Sequence, residues 1–161
     1  MFAELEEVFR EINEVTRREL QPMLDNARRC DEAMPFALTV IAEELRKHDR
    51  HEMAMKCCLS AVAFDDQHQT EALSRCNSYM AMAECYEALG HLAEQELWLR
   101  KAYEVADKEP LSIYTAYGIA DGLDTSLRSQ NRIAEADEWR NTAKTLVNNM
   151  VEWATRRRGE K

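Results

Sequence analysis

A chain of 161 residues is long enough for one domain with a packed core, and its 4 Gly and 3 Pro are too few for a sandwich or barrel of short strands. Apolar residues make up 45% and charged residues 32%, the composition expected of a soluble helical protein. The formal net charge of -9 speaks against sequence-independent binding to nucleic acid, which draws on Lys and Arg to neutralise phosphates, and favours a partner with basic segments.

The first residues, MFAELEEVFREINEV, have neither the basic region nor the cleavage site of a signal peptide, and no apolar run approaches the ~20 residues of a membrane span. A cytoplasmic location without membrane contact is expected. Within residues 1–34, Phe2, Leu5, Val8, Phe9, Ile12 and Val15 form a wide apolar stripe on one helix, which Pro22 kinks or restarts. Such a stripe fits an N-terminal cap packed on the domain that follows; the alternative is a dimerisation helix.

Helices are then predicted over 35–47, 50–64, 69–89, 92–107, 111–129 and 132–156. Pro35 suits a first helical turn, Asp65 and Asp66 close the second helix, and Glu109-Pro110 precedes the fifth. Gly118 and Gly122 lie inside that fifth helix at a cost of roughly 1 kcal/mol each, which points to a surface that something approaches closely. The last helix runs on through Trp139, Ala143, Leu146, Met150 and Trp153 at 4,3,4,3 spacing, so residues 148–161 extend it either to cap a stack or to dock on another chain. The Arg156-Arg157-Arg158 run in the tail complements the helix dipole.

Shifting the sequence by 41 residues brings out a repeat. Leu38, Ile41, Ala42 and Leu45 precede a break at Asp49; Tyr79, Met82, Ala83 and Tyr86 precede Gly90; Ala120, Leu123, Asp124 and Leu127 precede Asn131. Asp, Gly and Asn are the residues that best tolerate a left-handed helix end. After each break the small or apolar set recurs as Ala54, Cys58 and Ala61, then Gln95, Leu99 and Ala102, then Ala136, Arg140 and Ala143, with Gln95 and Arg140 the poorest fits. Small residues there let two antiparallel helices approach closely, so residues 35–147 read as three helix hairpins.

The pattern YMAMAECYEALGHLAEQELWLRKA resembles the tetratricopeptide repeat, W-x2-L-G-x2-Y…A-x3-F…P, with Tyr79, Met82, Ala83 and Tyr86 at the W, L, G and Y places. The period of 41 in place of 34 is similar to the longer-helix variants in kinesin light chains and bacterial peptide-sensing regulators, and HEAT-type repeats share it. The resemblance implies an all-α, right-handed stack of antiparallel hairpins, about three repeats with an N-terminal helical cap and a long C-terminal helix. It also implies an adaptor or chaperone-like module that takes a polypeptide in a concave groove lined by the first helix of each hairpin. On this chain the groove residues would be Phe36, Thr39, Val40, Glu43 and Lys47, then Asn77, Met80, Glu84 and Glu87, then Gly118, Asp121, Thr125 and Arg128. The Lys, Asn and Arg set with which some family members hold a terminal carboxylate is not found at those places.

The alternative function is a small regulator or inhibitor, of the kind phage, plasmid or secretion loci encode, that binds a larger enzyme or transcription complex through its outer face and the Trp139/Trp153 helix. A homodimer through the N- or C-terminal helix is compatible with either. Five cysteines, Cys30, Cys57, Cys58, Cys76 and Cys85, lack a disulfide-framework spacing and suit buried thiols in a reducing compartment. His48 and His51 followed by Cys57 and Cys58 have the wrong spacing for a structural zinc site, and no phosphate loop, nucleophile elbow or HExxH is present. Neither enzyme activity nor a cofactor or metal is therefore expected.

Overall fold

The computed structural model describes residues 33–108 and 113–159, together with Arg17, Arg18, Gln21, Pro22 and Asp25. The N-terminal stripe from Phe2 to Val15, Cys30 and Glu109-Pro110 lie outside the described residues, as do the side chains of Met150 and Trp153. The described residues form six helices: α1 (Met34–Lys47), α2 (His51–His68), α3 (Ala72–Ala88), α4 (Leu92–Lys108), α5 (Ile113–Ser129) and α6 (Ile133–Gly159). Each packs on the next in chain order, and α1 also packs on α3, so the arrangement is an all-α, solenoid-like succession of helix hairpins.

Three of the connections share one turn. Asp49, Gly90 and Asn131 have φ of 58°, 75° and 60°, the left-handed conformation in which a helix is closed by two reversed hydrogen bonds. The N–H groups of Arg50, His91 and Arg132 each donate across 2.9 Å to the carbonyls of Leu45, Tyr86 and Leu127. One residue earlier, the N–H groups of Asp49, Gly90 and Asn131 donate to Arg46, Glu87 and Arg128. The carbonyls of Arg50, His91 and Arg132 then accept the first bond of the following helix, from Ala54, Gln95 and Ala136. Each hairpin therefore reverses direction within three residues, and its two helices are held antiparallel.

The connection from α2 to α3 differs from the expected one. The helix predicted to end at residue 64 continues to His68, with the left-handed residue at Gln69. The reason lies in Asp65, which does not cap the helix but is fully buried inside it. Its carboxylate accepts hydroxyl hydrogen bonds from Ser74 at 2.8 Å and Ser78 at 2.6 Å, both on α3, and from Thr70 in the connection. A buried carboxylate needs such partners, and here they tie the end of α2 to the start of α3.

Two apolar clusters meet at α3. The first joins Leu38, Ile41, Ala42 and Leu45 of α1 to Ala54, Cys58 and Ala61 of α2 and to Met82 and Cys85 of α3. The second joins Cys76 and Ala83 of α3 to Leu99 and Ala102 of α4 and to Ile119 and Leu123 of α5. Tyr79 and Trp98 touch both clusters. At Gly122, α5 packs tightly on α4: a Cβ there would lie 3.3 Å from Leu99 Cδ2.

The set expected on the second helix of each hairpin is buried, with one exception, and on the first helices Tyr79 and Tyr86 are half-buried while the rest are buried. Arg140 is exposed, and its Nε donates across 3.1 Å to Asp124, which stands where the first two hairpins carry Ala42 and Ala83. The two departures in the third hairpin thus satisfy each other, a buried acid being reached by an arginine from the facing helix.

Candidate protein-binding surface

α1 and α3 run parallel: Phe36 and Leu73 near their starts border one cleft, and Arg46 and Glu84 near their ends form an ion pair. The cleft, of about 200 Å³, is lined by Pro35 and Phe36 of α1 and by Glu71, Leu73, Ser74, Asn77 and Ser78. Phe36 is 57% exposed and Leu73 46%, although each belongs to a helix whose other apolar residues are largely buried. The preceding Pro35 is buried in the first turn of α1, and Phe36 falls on the outward side of the helix.

Two turns further along both helices the surface becomes acidic. Glu84 pairs with the guanidinium of Arg46 at 2.5 Å, yet its carboxyl is pushed above the usual range. Burial outweighs the Arg46 attraction there, and the neighbouring charges of Glu43 and Glu87 add to it. Glu43 and Glu87 are themselves exposed. Lys47 lies beside this patch with its ammonium 2.6 Å from Glu44 and 3.1 Å from Glu43, and those hydrogen bonds raise its pKa.

The thirteen expected groove residues therefore divide. Phe36 and Asn77 share the cleft, Glu43, Glu84 and Glu87 converge with Lys47 two turns further along the helices, and Val40 packs half-buried against the first cluster. The hydroxyl of Thr39 donates to the Phe36 carbonyl at 2.8 Å. Met80 is half-buried on the second cluster, and its Cε lies 3.9 Å from where a side chain at Gly118 would begin, so α3 and α5 meet through this pair. On α5, Asp121 and Thr125 are exposed, with the Thr125 hydroxyl donating to the Asp121 carbonyl. Arg128 pairs with Asp124 at 2.7 Å and with Asp137 of α6, so it ties α5 to α6.

Trp139, expected to present an outer face, packs edge-on against Tyr103 with ring centroids 4.6 Å apart and lies under Arg100. Among the described residues, the large apolar side chains that α6 exposes are Ile133, Val147 and Val151. Sequence reasoning also passed over three polar features. Arg46 is separated from Glu84 by 38 residues and carried no local signal. Glu96 of α4 is buried against Arg100, Arg132 and Gln130; burial pushes its carboxyl up, but these hydrogen bonds outweigh it and hold the carboxyl below the usual range. A cleft of about 290 Å³ between α3 and α4 gathers Arg75, Lys101 and Lys108 around Tyr79, Glu104 and Val105, with the Lys101 ammonium 4.0 Å above the Trp98 ring.

Among the described residues, no group of three or more His, Cys, Asp or Glu side chains is placed to hold a metal ion, and no helix is long and apolar enough to cross a membrane. The chain matches no protein-family model, no curated protein and no solved structure.

Proposed function

We propose that this chain is a cytoplasmic, non-enzymatic binding module, a long-period tetratricopeptide-like stack that holds a polypeptide segment along α1 and α3. The observation that carries this reading is the pairing of a cleft that exposes the apolar side chains of Phe36 and Leu73 with an acidic patch at Glu43, Glu84 and Glu87, seven residues further along two parallel helices. Seven helical residues rise about 10 Å. Three residues of a polyproline II segment rise about 9 Å and return to the same face, so an apolar side chain followed three positions later by Lys or Arg spans the two features. A helical partner spans them with an apolar residue and a basic residue seven positions apart.

Labelled peptides of that pattern test the proposal by fluorescence anisotropy. Phe36→Ala is expected to weaken binding, and Glu43→Lys combined with Glu87→Lys is expected to weaken it at least about tenfold, since buried aromatic anchors and convergent charges dominate such contacts. Glu84 is left in place because Arg46 depends on it. Equal binding of apolar-basic and apolar-acidic peptides, or full affinity in the double variant, would remove the groove assignment. The second reading, a regulator acting through its outer face, draws on Val147 and Val151, exposed one turn apart on α6.

A further inference from the structure

Cys58 of α2 and Cys85 of α3 are fully buried, with their Sγ atoms 3.6 Å apart in hydrogen-bond contact. A disulfide requires about 2.05 Å between sulfurs, so a movement of under ~1 Å by each sulfur closes the gap. The two other described cysteines are placed differently. Cys57 is directed into the same cluster, where burial, with the nearby Cys85 adding to it, pushes its thiol up to about 12. Cys76 donates to the Ala102 carbonyl at 3.2 Å in the second cluster.

We propose that Cys58 and Cys85 are a redox modification site, oxidised by a peroxide to a reversible disulfide that fastens α2 to α3. The hydrogen bond with Cys58 holds the Cys85 thiol below its usual range despite burial, and the charge of Arg46 adds to this. That same bond and burial push Cys58 up. Cys85 is therefore the attacking thiolate and Cys58 the resolving thiol. The Cys85 sulfur displaces hydroxide from hydrogen peroxide and becomes a sulfenic acid. The Cys58 sulfur then attacks the Cys85 sulfur, the S–O bond breaks, and water leaves with the Cys58 proton. Two thiols and one peroxide thus give one disulfide and two waters. The entry side is the Arg46–Glu84 pair, whose charged groups remain partly exposed while the sulfurs beneath them do not.

The disulfide would join the first hairpin to the second, because α2 and α3 are their facing helices. The experiment uses the full chain, reduced and then exposed to hydrogen peroxide, with thiol counting, intact mass and peptide mapping. The expected result is a fall from the five thiols of the sequence to three, a loss of two hydrogens, and a peptide pair linked through positions 58 and 85 that a dithiol reductant releases. Oxidation should raise the melting temperature by roughly 5 to 10 °C, through closure of the loop between the two positions. Cys57→Ser should still form the link, whereas Cys58→Ser and Cys85→Ser should not; mapping of the wild type decides the matter if either of these folds poorly. All five thiols intact after peroxide treatment, a link through Cys57 or Cys76, or Cys85 found as sulfinic acid without a link would overturn the proposal.

Discussion

The two ends of this helix stack use the same turns but different cement. From α1 to α3, contact is made mainly by aliphatic side chains and thiols; the buried acid there, Asp65, is met by the hydroxyls of Thr70, Ser74 and Ser78 and not by arginine, and Arg46–Glu84 pairs α1 with α3. From α4 to α6, two acids, Glu96 and Asp124, sit nearly buried at helix contacts and are reached by Arg100, Arg132, Arg128 and Arg140. Backbone geometry alone therefore does not dictate how a hairpin is glued. A small residue between facing helices and an acid with an arginine opposite are alternative solutions to one packing problem, the first insensitive to salt and pH and the second sensitive to both.

The largest effect should come from the apolar end. Leu45→Ala removes a fully buried side chain from the first cluster and should cost about 3 kcal/mol in urea unfolding, with little dependence on ionic strength. Equal destabilisation from 0.05 to 0.5 M salt is the measurement that counts; a strong salt dependence would mean the two ends are not held differently.

Glu96→Gln should cost about 2 kcal/mol at neutral pH, since it removes charge from a buried acceptor of arginine hydrogen bonds. The pH dependence has a definite sign. The Glu96 carboxyl titrates lower in the folded chain than in the unfolded one, so its contribution is present above the unfolded value near ~4.3 and is lost as pH falls through the folded value. Glu84 has the opposite sign: its carboxyl is raised in the fold, so its charged form costs stability, and that cost disappears as pH falls. Stability measured from pH 7 to pH 3 should therefore decline less steeply in Glu96→Gln than in wild type and more steeply in Glu84→Gln. Parallel curves for all three proteins would contradict the assignment.

Much of the frame was legible because the signals are local. The turns at Asp49, Gly90 and Asn131 demand residues tolerant of positive φ, and the apolar spacing of Leu38, Ile41 and Leu45 fixes which face of α1 is buried. Asp65 misled because an acid after an apolar run reads as a helix end. Its actual role depends on Ser74 and Ser78, whose spacing of one turn on α3 is the signal that was available. The sequence could list outward helix positions for a candidate surface, but not the division of α1 and α3 into cleft and acidic patch. That division depends on Leu73 and Arg46, and on how far α1 is rotated against α3, which no local pattern encodes. The Cys58–Cys85 contact is of the same kind.

Smaller effects should separate the two glycines of α5. At Gly118 an added methyl group meets only Met80 Cε at ordinary contact distance, so Gly118→Ala should stabilise by about 0.5 to 1 kcal/mol through helix propensity. At Gly122 the added carbon falls 3.3 and 3.4 Å from the two methyl groups of Leu99, which is itself buried, so the propensity gain is offset and Gly122→Ala should be near neutral. Gly122→Val should destabilise clearly, because its branched carbon leaves Leu99 no room to turn aside.

The smallest expected effect bears on what the two ends share. Asp49 and Asn131 hold φ of 58° and 60°, a conformation that strains a side chain, whereas Gly90 holds 75° without that penalty. Asp49→Gly and Asn131→Gly should each stabilise the chain, by a few tenths of a kcal/mol up to about 1, with relief of strain partly cancelled by the greater freedom glycine gives the unfolded chain. Gly90→Ala should cost about 1 kcal/mol, although nothing lies within 4 Å of the added carbon, because the strain comes from the backbone and not from a neighbour. Similar gains at Asp49 and Asn131 in thermal unfolding would mean that one turn serves an apolar hairpin and a charged hairpin alike. A gain at Asp49 alone would mean that the side chain of Asn131 contributes to its turn beyond tolerating the left-handed backbone.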